Sequence, residues 1–180
     1  MFDSELLAKL ARLALLVVLL APCSAALAEP DVEEAEIAML ALATAIASED
    51  ASEATPLRVL EQSSFPRHAH ALEQLRSAAM QGFCGMEPTV SVELLERLIA
   101  NNSSRVAWSR MLRVPRIAWV QTPQQDLDFV GLSVPAIYED GQSAIIGMDI
   151  SGASGVLMLM RKAGDQWSVI DGCVEWTSWR

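Results

Sequence analysis

Cysteine, histidine and tyrosine are scarce in this 180-residue chain, at three, two and one residue. No Cys-x-x-Cys pair occurs, which removes the usual signature of a catalytic disulfide or a zinc ligand set. A Gly-x-Ser-x-Gly nucleophile elbow is also missing. Its nearest approach, Gly152-Ala153-Ser154-Gly155, has the wrong spacing and lies between two strand-like runs. Lys and Arg number 13 against 23 Asp and Glu, a net charge of −10, so the clustered cations that bind phosphate backbones are not in surplus and no nucleic-acid partner is expected. With 52% hydrophobic residues, nine glycines and three cysteines, the chain is neither disordered, collagen-like nor a cysteine-dense miniprotein. Its uncharged run Leu13–Ala21 falls well short of the roughly 20 apolar residues of a bilayer span.

That run fits an export signal, whose core needs about 7–15 residues. Lys9 and Arg12 precede it, Pro22 breaks it, and Ala26-Leu27-Ala28 supplies the small–x–small pattern of a cleavage site. Asp3 and Glu5 offset the two bases, the one departure from the pattern. The reading is a signal peptide over residues 1–28, cleaved after Ala28, and a single domain over 29–180 in the periplasm or outside the cell. A lipid anchor on Cys23 is the rival, weakened by Pro22 where a small residue is required. A mature chain of about 150 residues buries roughly 68–70% of its unfolded surface, enough for one core and no stable membrane insertion.

Cleavage leaves Cys84 and Cys173 as the only thiols, so a single intramolecular pairing exists in an oxidising compartment. They are 89 positions apart, and a bridge of that length restricts the unfolded chain by about 4–5 kcal/mol in the loop-entropy model. Two buried free thiols, or a metal or redox role, are the alternatives.

Residues 29–53 hold eight acids and no base, and Val32, Ala35, Met39, Leu42 and Ile46 recur at helical spacing. The acids at the start suit the positive end of a helix dipole. Leu57–Leu60 reads as a strand. Ser64 and Pro66 begin a second helix carrying Leu72, Leu75 and Ala79 and ending at Gly82; Ser91 caps a third, which Asn101 and Asn102 stop. Leu127–Val134, Ala144–Ile150, Val156–Met160 and Gln166–Trp176 are strand-like, joined by turns at Asp140-Gly141 and Gly164-Asp165. The expected class is α+β: N-terminal helices packed on one face of a C-terminal antiparallel sheet of about four to five strands.

The succession Ser133-x-Pro135, Asp140-Gly141, Ala144-Ile145-Ile146, Leu157-x-Leu159, Gly164-x-x-Trp167-x-Val169 and Trp176 resembles the C-terminal module of uncharacterised secreted bacterial proteins. The layout is similar to small cone-shaped domains of the NTF2 or cystatin type. The resemblance spans Ser133 to Trp176, is made of turn and core residues, and implies fold and export without assigning any functional residue.

Chemistry has few candidates. His68 and His70 leave a helix on opposite sides, about 200° apart, and no further ligand accompanies them. Glu139, Asp140 and Asp165 belong to turns, while Asp126 and Asp128 flank a strand start. Met158 and Met160 share a strand face and could offer thioethers to Cu(I), but core filling explains them. No metal or cofactor is implied, and no residue is assigned as catalytic. Trp167 and Trp176 read as core, and Trp179 as a contact surface. The leading expectation is an exported, non-enzymatic module of the bacterial envelope that binds a protein or small ligand. Its rival is a periplasmic hydrolase whose residues converge only in the fold. The net acidity favours basic partners or divalent ions. Intact mass of the exported protein should begin at Glu29, and its thiols should resist alkylation until reduced. A full-length product with both thiols reactive would overturn the export reading.

Overall fold

Two strands that are apolar on both faces decide the architecture. The structure is a computed structural model and describes residues 31–48, 56–66, 68–122, 128–151 and 153–177. The segment 1–28 with Cys23, and Trp179 near the end, lie outside the described residues. Strands β5 (Ser143–Ile150) and β6 (Ser154–Ala163) pair antiparallel from Ser143↔Arg161 to Ile150↔Ser154. Because side chains alternate along a strand, Ala144, Ile146, Met148, Met158 and Met160 line one face, and Ile145, Leu157 and Leu159 the other. Neither face can be left in water. Helix α1 (Val32–Ser48) covers the first with Ile37, Ala38, Ala41 and Leu42. Helices α2 (Ala69–Gln81) and α3 (Pro88–Asn101) cover the second with Ala71, Leu75, Ala79, Leu94, Leu95 and Leu98. The α+β class holds, but the helices lie on both faces and not on one, as β6 itself requires.

The sheet is also larger than expected. Strands β3 (Val130–Leu132), β5, β6 and β7 (Gln166–Thr177) form the anticipated antiparallel part, to which the short β4 (Ala136–Ile137) adds beside β5. Two parallel strands extend it: β1 (Leu57–Leu60) lies beside β3, and β2 (Ile117–Val120) beside β1, giving seven strands in the order β2-β1-β3-β5-β6-β7 with β4 also on β5. β2, β4 and the single-turn α4 (Trp108–Met111) were not anticipated.

β3 and β4 both run along β5 and are separated by Ser133-Val134-Pro135, where proline cannot donate a ladder bond. The buried backbone there finds side-chain partners. Gly147 N–H donates to Ser133 Oγ (2.8 Å), Val134 N–H to Asn102 Oδ1 (2.8 Å), and Asn102 Nδ2 donates to Val134 O (2.9 Å). Asn101 Nδ2 donates to Pro135 O (2.8 Å). The asparagines that stop α3 thus also dock its end on the sheet.

Each helix departs from its expected register for a local reason. In α1, Asp31 and Glu34 form a reciprocal capping box, each backbone N–H donating to the other's carboxylate (3.0 and 2.7 Å). The helix is apolar nearly all round, so periodicity alone places the stripe only in part: Leu42 is buried and Ala35 packs on the core, but Val32 is 84% and Met39 40% exposed, while the Glu33–Ile37–Ala41 line faces inward. Glu33 fixes that rotation by accepting from Lys162 Nζ (2.5 Å) and Trp167 Nε1 (3.1 Å). α2 starts at Ala69 and not near Ser64, because Ser63 and Ser64 donate their N–H groups to Val106 O (2.8 Å) and Leu132 O (2.7 Å) as an extension of β1. It ends at Gly82 as expected, at φ 78°, donating to Ala79 O. α3 begins with Pro88 in its first turn, so Ser91 is inside the helix and buried, its Oγ accepting from Phe83 N–H (3.2 Å).

Cys84 and Cys173 form the disulfide, with Cα atoms 5.3 Å apart. Cys84 sits in the α2–α3 turn at φ 56°, a left-handed conformation costing an L-residue about 1–2 kcal/mol. On β7, Val174 pairs Leu157 and Gly172 pairs Met158, leaving Cys173 as the extra residue of a bulge. The bulge lets Cys173 and Val174 face the same side, toward α2 and α3. The bridge therefore ties the helical hairpin to the sheet edge it covers.

Two measurements probe this packing. The Lys162 hydrogen bond, more than the Trp167 bond or the Lys162 charge, holds the Glu33 carboxyl below its ordinary 4.5 against the opposing effect of burial. A depressed carboxyl pKa stabilises the fold above about pH 4.5 and loses that contribution as pH falls through the folded value. Glu33→Gln should lower the melting midpoint at pH 7 by about 2–4 °C, with the gap to wild type closing below pH 4.5; a gap independent of pH would refute the anchor. Gly155 pairs Trp176, and a Cβ there would strike the indole and the Met148 carbonyl. Gly155→Ala should destabilise by about 1–3 kcal/mol in urea unfolding.

Candidate functional site

The residues singled out by chemistry do not converge. His68 is the exposed N-cap residue of α2, its ring making no cap bond, and His70 lies one turn from Gln74, with Nε2 atoms 3.2 Å apart. Among the described residues no group of three His, Cys, Asp or Glu could hold a metal. Met158 and Met160 are buried under α1. The turn acids serve the turns: Asp140 Oδ1 accepts from Gln142 and Ser143 N–H (2.8 and 3.2 Å), and Glu139 pairs with Arg97 (2.8 Å). Asp128 accepts from Ser151 Oγ (3.0 Å). Asp126 lies outside the described residues.

One polar seam crosses the second face of the sheet. Gly131, Asp149, Gly155 and Trp176 form a row across β3, β5, β6 and β7. Ser64 lies on Gly131 and Phe65 on Gly147, and Ser64 Oγ is 3.4 Å from Asp149 Oδ2. Phe65 and Trp176, with ring centroids 6.4 Å apart, fill the space the glycines leave. Trp176 Nε1 is buried and has no acceptor among the described residues. This seam packs the β1–α2 connection onto the sheet.

A second candidate surface is the β2 end of the sheet, one of its two edges, with β7 at the other. Val114-Pro115-Arg116 turns the chain into β2, with Arg116 at φ 65°. β2 pairs in parallel with β1 through Leu57↔Ile117, Arg58↔Ala118, Val59↔Trp119 and Leu60↔Val120. Leu57 N–H donates to Arg116 O (2.8 Å) and Glu61 N–H to Val120 O (2.9 Å). Alternation along the strand then turns the N–H and C=O groups of Ile117 and Trp119 out of the sheet. Among the described residues β2 has no second neighbour. All four of its residues are half-buried, and none is a charged gatekeeper of the sort that blunts a strand edge.

The charge around this edge opposes that of the whole chain. Residues 57–62 and 98–122 carry Arg58, Arg105, Arg110, Arg113 and Arg116 against one carboxylate, Glu61. Arg110, Arg113 and Arg116 are exposed. Among the described residues Arg58, Arg110 and Arg113 have no ion-pair partner, whereas Arg76, Arg97 and Lys162 are paired elsewhere. The acid-free arginine spacing from 105 to 116, followed by Ile-Ala-Trp-Val, was the sequence signal for this edge. It was masked by the net charge of −10. Trp179, the expected contact residue, lies outside the described residues.

Against protein-family models, curated proteins and solved structures alike, the chain finds no match. No helix among the described residues is long and apolar enough to cross a membrane.

Proposed function

We propose that this chain is an exported, non-enzymatic accessory domain of the bacterial envelope that recognises a protein, and that the β2 edge is its recognition surface. The observation that carries this reading is the edge itself. It is a strand with outward backbone donors and acceptors, in a stretch of chain whose Arg58, Arg110 and Arg113 have no ion-pair partner among the described residues. The disulfide between Cys84 and Cys173 agrees with an oxidising compartment. The export step rests on the leader pattern before Ala28.

Site-directed photocrosslinking in the native envelope tests this. Benzoylphenylalanine at exposed Gln121, the residue after β2, should yield a discrete adduct with one envelope protein. The same probe at exposed Gln81, the last residue of α2, should not. Equal labelling at both positions, or none at Gln121, would defeat the assignment.

A further inference from the structure

Building on the reading of β2 as a recognition edge, we infer that the partner contributes an extended segment in which acidic and apolar residues alternate, added as an eighth strand beside β2. The two faces of the edge differ in chemistry. Ile117 and Trp119 lie on the α1 face with Leu57 and Val59, so an incoming strand meets half-exposed apolar side chains there. On the opposite face the register places Arg58 beside Ala118. Ala118 has only a methyl group, so it does not screen Arg58 from the next strand position. That position is two strand spacings from Arg58, about 10 Å, a gap that arginine and a facing glutamate close between them.

Arg116 stands just before β2, and α4, which carries Arg110, lies toward the strand's other end, where Ser109 N–H approaches Glu61 O (3.5 Å) and Glu61 N–H donates to Val120 O, so arginines flank the edge at both ends. Glu61, beyond the end of β1, stands near Val120, to whose carbonyl its N–H donates.

Anionic lipid or nucleic acid would satisfy the arginines and leave the outward N–H and C=O groups of Ile117 and Trp119 unmatched. A second copy of this chain would match those groups while bringing like-charged arginines together. Only an extended acidic peptide answers both features.

The probe is a fluorescein-labelled peptide of about ten residues alternating valine and glutamate, titrated into the mature disulfide-bonded protein and read by fluorescence anisotropy. Saturable binding is expected, weakening as salt shortens the screening length from about 10 Å to about 3 Å between 0.1 and 1 M. A valine–lysine peptide should not bind. Two N-methylated versions separate strand addition from charge attraction. Methylation of one alternate set of amides should abolish binding, and methylation of the other set should leave it intact. Arg58→Glu/Arg113→Glu should weaken binding about tenfold, and Arg110→Glu/Arg113→Glu, both at exposed positions, should weaken it while leaving the circular dichroism spectrum unchanged.

Binding indifferent to both methylation patterns, or equal capture by phosphatidylglycerol vesicles or a single-stranded oligonucleotide, would overturn the inference. So would a protein that dimerises through β2 in sedimentation, or one that ignores the valine–glutamate peptide. The Gln121 adduct decides the broader reading separately: an adduct without valine–glutamate binding refutes the acidic partner and keeps the recognition edge.

Discussion

The β5–β6 hairpin is the constraint on which the other elements depend. Its odd and even residues are both apolar, so it needs a layer on each side, and the three helices long enough to provide them divide accordingly. Once α1 takes the Met158–Met160 face, α2 and α3 are left with the Leu157–Leu159 face, and the chain must pass from one side of the sheet to the other between them. β1 and the Gln62–Pro66 segment make that passage. The glycines at 131 and 147 let it lie close to the sheet, because a side chain at either position would displace Ser64 or Phe65. The seam of Ser64, Asp149 and Trp176 follows from the crossing and needs no ligand to account for its shape.

The two faces are held by different physics. On the second face a covalent bond from Cys84 to Cys173 joins helix turn to strand, made possible by a bulge that turns one extra residue inward. On the first face no covalent bond holds α1, which packs through Ile37 and Leu42 beside the small Ala38 and Ala41. The Glu33 contacts to Lys162 and Trp167 add to the specificity of its rotation, since only one rotation of the helix brings that carboxylate to the β6–β7 turn. Side chains of this pair remain 35% and 25% exposed, so its effect is more on register than on total stability.

What was legible in the sequence follows from how local the determining interactions are. The long strands, the turns at Gly141 and Gly164, the stops at Gly82 and Asn102 and the single possible cysteine pairing all depend on neighbouring residues or simple counting, and each was readable. The start of α2 was not, because Ser63 and Ser64 give their N–H groups to Val106 and Leu132, partners some forty and seventy positions away. The buried face of α1 was read only in part, with Leu42 and Ala35 placed inward but Val32 and Met39 not, because a nearly all-apolar stretch carries little angular information. β2 escaped notice for the same reason in reverse: four residues are too few for a period, and only parallel pairing with β1 makes them a strand. The positive charge near the β2 edge was hidden by averaging, since a net charge of −10 is silent about where the arginines gather.

That gathering matters for how an acidic domain can find an acidic partner. At long range the chain repels it; within a screening length of about 10 Å at 0.1 M salt, the local field of Arg58, Arg110 and Arg113 governs instead. Repulsion elsewhere on the surface then acts as a filter. It disfavours every approach that does not bring the partner to the one edge where the sign reverses and backbone groups are open for pairing. Specificity on this account comes from a small positive region set in a negative surface, and neither feature alone would provide it.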